Sequence, residues 1–408
     1  MKQLIYLFIM SAAFTACNNG APASSDKASP AYEKGSFGYD LNFLNKYDSI
    51  IVLSNEGEDA RVAVSPRYQA KVFTSSAGKE NGTSFGWINY KAFGEATDPH
   101  MNAYGGENRF WLGPEGGRYS LFFKKGDKMV FDNWKTPAAI DTEPWEVLSA
   151  GPQMVSMQKD MKLENYAGTA LQIRANRTIT VLTGSEIAAK LGLKTDTGFK
   201  AVGYLADNSI TNTGSEAWNE TTGMPCIWNL DMFNPSEKTV IVIPYKTEGF
   251  ASDSKVATTD YFGEIPADRI KYKDGVLLFT ADGKSRGKLG LAPQRARPVA
   301  GSYDPENGIL TLTLFDLDPG AKYLNQEWNT DKPPFSGDAV NAYNDGPLED
   351  GSQMGPFYEI ESVSPAAFLE PQSSLRHRHY VFHFTGSEPA LDAIARQVLQ
   401  ISLADIQQ

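Results

Sequence analysis

From residue 49 onward the chain is divided into short apolar runs, and that division most restricts what it can become. The runs are SIIVLS (49–54), RVAVSP (61–66), YQAKVFTSS (68–76), RYSLFF (118–123), ALQIRANRTITVLT (170–183), TVIVIPY (239–245) and GILTLTLFDL (308–317). Most are rich in β-branched or aromatic residues, and Gly, Asn, Asp or Pro separate them, as in strands joined by turns. In KYKDGVLLF (271–279), Asp274-Gly275 stands between two strand-like arms and predicts a hairpin. Helical spacing is scarce. GSEIAAKLGL (184–193) fits a short helix opened by Ser185. In SEPALDAIARQVLQISLADI (387–406), Leu391, Ile394, Ala395, Val398 and Leu399 form one apolar stripe, with Ser387 placed to cap it and Pro389 in its first turn. Strand and helix do not alternate regularly, so the fold class read here is all-β, a sandwich or barrel, and not a doubly wound sheet.

The opening MKQLIYLFIMSAAFTAC places Lys2 before an apolar run and small residues before Cys17, the pattern of a secretory leader too short to span a bilayer. Phe14-Thr15-Ala16-Cys17 resembles the bacterial lipobox, which implies cleavage before Cys17 and lipidation of it. Residues 1–16 are expected to be a lipoprotein signal peptide, 17–35 a flexible tether rich in Asn, Ala, Ser and Pro, and 36–408 a single domain. The expected location is the cell envelope, lipid-anchored in the periplasm or outer membrane. Once Cys17 is lipidated only Cys226 remains, so no intramolecular disulfide can form and core burial must hold the domain. With 38 Lys and Arg against 49 Asp and Glu, the net charge of −11 argues against nucleic acid as a partner. It argues equally against a polybasic grip on anionic lipid, leaving acyl chains as the only membrane link. No GxGxxG follows a strand, Gly-Lys-Ser at 283–285 lacks the earlier glycine of a phosphate loop, and HExxH does not occur.

The stretch GGENRFWLGPEGG (105–117) sets Glu107, Arg109, Trp111 and Glu115 between two glycine pairs, just ahead of the run RYSLFF. Glycines let the backbone turn tightly beside a ligand. Two carboxylate acceptors, a guanidinium fork and a flat apolar ring suit a sugar, which has hydroxyls on its edge and C–H groups on its face. The plainer reading is a structural ion pair between Glu107 and Arg109 at a sheet rim.

Three further segments carry candidate chemistry. NQEWNTDKPPFSGDAVNAYNDGP (325–347) is a long polar stretch with Asp338 and Asn344 among its oxygens. Such a stretch can form turns or hold calcium, although it has no EF-hand spacing, so calcium is a possible cofactor and no other is implied. SLRHRHYVFHF (374–384) reads as a strand with His377, His379, Val381 and His383 on one face and Arg378, Tyr380, Phe382 and Phe384 on the other. His377 and His379 could share a metal ion; polar lining or packed histidines is the alternative. In MPCIWNLDMFNPSE (224–237), Trp228 and Asp231 could form a cleft wall or belong to the core.

Taken together, GGENRFWLGPEGG, GKLGLAPQRARPVAGSYD, FSGDAVNAYNDGP and FYEIESVSPAAFLEPQSSLRHRHYVFHF resemble a group of Bacteroidetes lipoproteins of unknown function. That group is similar to the galactose mutarotase-like β-supersandwich of aldose 1-epimerases. The resemblance rests on Asn108-Arg109 near a strand start and on the block from Glu361 to His379. It implies a β-supersandwich with a short helix and a C-terminal helix, Arg109 binding hydroxyls, and Glu359 or Glu361 as a base. No mid-chain Asn-His-x-Tyr segment occurs; IWNLD (227–231) stands there, and His100 precedes the arginine.

The function expected is a carbohydrate-binding or carbohydrate-processing lipoprotein. Its catalytic candidates are Glu359, Glu361 and His377. Its substrate-binding candidates are Glu107, Arg109, Trp111, Glu115, Trp228, Asp231, Asp338, Asn344 and His379. The alternatives are a non-catalytic glycan binder and a metal-dependent enzyme using His377 and His379.

Overall fold

Turn chemistry sets the strands. The computed structural model describes residues 31–55, 57–194 and 198–407. The leader, Cys17 and most of the tether lie outside the described residues. In chain order the strands are β1 (Ile51–Ser54), β2 (Arg61–Ser65), β3 (Lys71–Ser76), β4 (Arg109–Gly113), β5 (Glu146–Ala150), β6 (Met154–Glu164), β7 (Ala170–Val181), β8 (Phe199–Asn212) and β9 (Cys226–Phe233). They continue with β10 (Val240–Pro244), β11 (Ile270–Lys273), β12 (Val276–Thr280), β13 (Gly287–Leu291), β14 (Val299–Asp304), β15 (Ile309–Phe315), β16 (Val340–Asn344), β17 (Tyr358–Val363) and β18 (Ser374–Gly386). Helices are α1 (Phe37–Leu44), α2 (Gly184–Leu191), α3 (Glu388–Val398) and α4 (Leu403–Ile406). The all-β fold class read from the sequence is what the structure has.

Strands pair antiparallel into three sheets: β1-β2-β3, a large sheet β11-β12-β10-β14-β15-β18-β8-β7-β6-β5, and a small sheet β13-β16-β17-β9-β4. The predicted hairpin forms between β11 and β12, with Asp274 at φ 49° and Gly275 at φ 79°, the left-handed pair that an Asp-Gly turn tolerates. RYSLFF (118–123) is not a strand; the strand is the RFWLG that precedes it, and Leu121, Phe122 and Phe123 are buried in irregular chain. Apolar content alone does not separate a strand from a buried loop.

The core lies between the small sheet and the inner face of the large one. On β7, Leu171, Ile173, Ala175, Ile179 and Val181 alternate with exposed or half-buried residues, so one face packs and the other is wet. Behind the large sheet, a second core joins Phe382 and Phe384 of β18, Leu310 and Leu312 of β15, and Leu391, Ile394, Ala395 and Leu399 of the C-terminal segment. The apolar stripe predicted over 387–406 is therefore used, although the segment breaks into α3 and α4 around Gln400 at φ 63°. Ser387 is the N-cap by position, but its side chain makes no capping hydrogen bond. Helix α2 is opened by Thr183 and not by Ser185: Thr183 and Glu186 form a reciprocal capping box.

Candidate functional site

A two-residue period places the site. On β4, Arg109 and Trp111 share a face, and register carries that face across Trp228, Leu230 and Met232 of β9 and Glu359 and Glu361 of β17. It continues over Asn341 and Tyr343 of β16 to Lys288 of β13. This outer face of the small sheet is the floor of a cleft. Its walls come from loops: Glu115 after β4, Phe131 and Trp134, Phe262, and Trp328.

The glycine pairs of the 105–117 stretch make this arrangement possible through the chain's own backbone. A Cβ at Gly116 would lie 2.2 Å from the Glu327 carbonyl oxygen, so only glycine lets the Glu115 loop approach residues 325–328. That approach brings Glu115 beside Trp328, and the Glu115 backbone N–H donates to Gln326 Oε1 at 3.2 Å.

Charge is dense and paired on the floor. Arg109 donates through Nη2 to Glu359 Oε1. Lys288 Nζ donates to Glu361 Oε2 at 3.0 Å, and Trp228 Nε1 to the same oxygen at 2.8 Å. The Arg109 guanidinium lies 5.0 Å from the Trp111 ring and the Lys288 ammonium 4.8 Å from the Trp228 ring. Burial, reinforced by Glu361 and opposed by Arg109, pushes the Glu359 carboxyl up to about 7. Burial also raises Glu115, with Lys288 and the nearby indoles of Trp328 and Trp134 acting the other way. Burial would lower Lys288, but Glu361, Glu115 and Glu359 around it outweigh that and hold its pKa above the ordinary value.

Several cleft groups have unused hydrogen-bonding capacity. Arg109 Nε and the Trp111 indole nitrogen in the cleft, and Glu361 Oε1 beneath it, are buried without a hydrogen-bond partner, while the indoles of Trp134 and Trp328 turn to Glu115. Orphaned polar atoms are costly unless something meets them. An acceptor, a guanidinium donor and an indole donor beside flat apolar rings can hold a molecule with hydroxyls on its edge and C–H groups on its face.

Of the residues singled out from the sequence, Arg109, Trp111, Glu115, Trp228, Glu359 and Glu361 gather in or under this cleft. Others do not. Asp231 is three residues from Trp228, an odd spacing that turns it to the opposite face, where it accepts from Asn108 Nδ2 at 2.5 Å and lies 2.6 Å from His379 Nε2. Glu107 also turns inward, accepting from Ser75 at 2.7 Å and lying 3.1 Å from His383 Nε2, so it forms no ion pair with Arg109. His377 and His379 are fully buried between the sheets, both on the hydroxyl of Ser362, at 2.9 and 2.8 Å. Burial and the neighbouring His379 push His377 down to about 3, so it is a neutral packing residue and not a cleft acid. Asn344 binds the 283–285 turn, donating to Ser285 O and accepting from Gly283 N at 2.9 Å each. Asp338 lies behind the cleft, accepting from the Tyr261 hydroxyl at 2.6 Å.

No group of three or more His, Cys, Asp or Glu side chains placed to hold a metal ion occurs among the described residues. The sequence reading missed Lys288, Arg286, Tyr343, Tyr261, Trp134 and His100, all of which line the cleft. Lys288 sits in the quoted GKLGLAP block, but a lone lysine on a five-residue strand carries no signal. His100 was set aside by its order along the chain; it borders the cleft, with Nδ1 2.6 Å from the Trp134 carbonyl oxygen and its ring stacked on Phe131 at 4.6 Å.

A family of unknown function, DUF6786, matches residues 35–408. The chain belongs to this family. No curated protein matches it by sequence. Among solved structures, the Slr1438 protein of Synechocystis sp. PCC 6803 is similar at 14% identity, with 83% of this chain and 96% of that chain covered and a TM-score of 0.50. A putative aldose 1-epimerase from Escherichia coli K12 is similar at 11% identity, covering 83% and 99%, with a TM-score of 0.47. A galactose mutarotase-like protein from Lactobacillus casei is similar at 12% identity, covering 82% and 100%, also at 0.47. At such identities the likeness of a family member to these proteins concerns fold alone.

Proposed function

We propose that the outer face of the small sheet binds a carbohydrate and that Glu359 exchanges a proton with it. The observation that carries this reading is the set of unpartnered buried polar atoms, Glu361 Oε1, Arg109 Nε and the Trp111 indole nitrogen, among aromatic rings. A sugar is the ligand class that uses both at once. Glu359, pushed by burial to about 7, is poised to gain or lose a proton near neutral pH, which suits either direction of proton transfer. Glu361 accepts from Lys288 and Trp228, contacts that fix its carboxyl group to orient hydroxyls.

A non-catalytic glycan binder is the second reading, favoured by the engagement of both floor carboxylates in ion pairs. A binding screen of residues 36–408 against monosaccharides and glycans, run beside Arg109→Ala, tests the site. Loss of a bound sugar in the variant supports it; retention of full binding removes the cleft from consideration. Glu359→Gln then separates the two readings, since turnover of the bound sugar must disappear in an enzyme while binding survives.

Attachment to the cell envelope through Cys17 belongs to the same proposal, supported by the leader pattern alone. Cys17→Ala should move the protein from the membrane to the soluble fraction; equal membrane retention would contradict it.

A further inference from the structure

Two cavities meet over the floor. One, of about 380 Å³, stands over Arg109, Trp111, Trp228 and Glu359. The other, of about 490 Å³, is bordered by Tyr261, Gln326, Asn341, Asp345 and Gln353. Each alone has the volume of an ordinary small-molecule site. They are continuous, because Glu115, Lys288, Arg286 and Tyr343 border both.

We propose that the cleft takes an oligosaccharide, with sugar units in both compartments and the linkage between units lying over Glu115 and Lys288. The inference rests on the carbohydrate reading above and adds the size of the ligand to it.

Three observations carry it. The far compartment has polar equipment of its own in Tyr261, Asn341 and Asp345: the Tyr261 hydroxyl donates to Asp338 at 2.6 Å and accepts from Asn341 Nδ2 at 3.3 Å, and Asp345 accepts from the shared Tyr343 hydroxyl at 3.0 Å. A monosaccharide over Arg109 and Glu359 would leave this set unused. The rim is apolar and exposed, with Phe131 at 59%, Leu348 at 47%, Met354 at 41% and Phe262 at 39%. Exposed apolar side chains gathered around a polar cleft mark a surface that meets a ligand, and the two phenyl rings supply faces for sugar rings beyond the floor. Finally, Glu115, Lys288 and Arg286 stand at the junction of the two cavities. The Lys288 ammonium feels Glu361, Glu115 and Glu359 together, so charge is concentrated where two units would be joined.

The test is calorimetric titration of residues 36–408 with gluco-, galacto-, manno- and galacturono-saccharides of one, two, four and six units. Leu348→Ala and Gln353→Ala, both in the far compartment, and Arg109→Ala in the near one are run in parallel. Leu348 is exposed, so its truncation does not threaten the fold. The expected result is a gain of about tenfold or more in affinity from one unit to two or more. The far-compartment variants should shrink that gain, and Arg109→Ala should weaken every length. A monosaccharide bound as tightly as its oligomers, and lost in Arg109→Ala, would overturn this inference while leaving the carbohydrate reading intact. A length gain that neither far-compartment variant reduces would overturn the placement of the second unit. Failure of every saccharide to bind would overturn both.

Discussion

Glu359 and Asp231 show how neighbouring strands give carboxylates opposite roles. Glu359 faces the cleft against Arg109; Asp231 faces the interior against His379 and Asn108. Because Glu359 titrates near 7, any proton-transfer activity should change with a midpoint close to that pH, and Glu359→Gln should abolish both the activity and the midpoint. A profile unchanged in the variant would assign the chemistry elsewhere. His379 is predicted to act through stability. His379→Ala leaves the Asp231 carboxylate buried without one of its partners and should cost about 3 kcal/mol in denaturant unfolding, with no change in metal content. Stoichiometric metal lost on that substitution would restore the metal reading. What was legible at this scale followed spacing: Arg109 with Trp111 and Glu359 with Glu361 share a face because they are two apart. Asp231 was read beside Trp228, and only the odd interval between them, applied to a strand of known extent, separates them.

Helix caps and stripes make the predictions at the level of elements. Thr183 accepts from the Glu186 backbone N–H while the Glu186 side chain accepts from that of Thr183, so Thr183→Ala should destabilise by about 1 kcal/mol. Ser387→Ala should cost less than about 0.5 kcal/mol, since its hydroxyl makes no capping bond. Leu391→Ala, which empties a site 1% exposed between α3 and the large sheet, should cost about 2–5 kcal/mol. Thermal or denaturant unfolding of the three variants checks the order. The hairpin at Asp274-Gly275 and the long alternating β7 were readable because local turn chemistry and period agree with the fold. RYSLFF was misread because burial in a loop and burial in a strand select the same residues. The small sheet, which carries the site, was the hardest to read: β4, β13, β16 and β17 are five or six residues long and buried on both faces, so they lack alternation.

The whole molecule should be most stable in acidic solution, through two opposed linkages. Glu359 and Asp338, raised by burial to about 7 and about 6, bind protons more tightly folded than unfolded, so their contribution is full at low pH and is lost as pH rises through those values. His377, lowered to about 3, stays neutral when folded while the unfolded residue charges below its ordinary value, so stability falls as pH drops from about 6.5 toward 3. Two raised carboxyls outweigh one lowered imidazole, so unfolding midpoints measured from pH 4 to 9 should be highest near about pH 4 to 4.5 and fall toward about pH 7; a steady rise across the range would contradict the burial of Glu359 and Asp338. The pairing of β9 with β4 and β17, which brings residue 109 to residue 359, lies beyond what one sequence displays. Long-range register is set by the complementary fit of two sheets and not by any local run. The all-β class was legible; the cleft's cationic half, Lys288 and Arg286, was not.

The account stands on the location of the ligand. Its most direct test is a crystal structure of residues 36–408 with the tightest-binding saccharide from the screen. A ring within hydrogen-bond distance of Arg109 and Glu361 Oε1, lying against Trp111 or Trp228, is the predicted result. A saccharide bound away from the outer face of the small sheet, with Arg109 and the two floor carboxylates untouched, would contradict it.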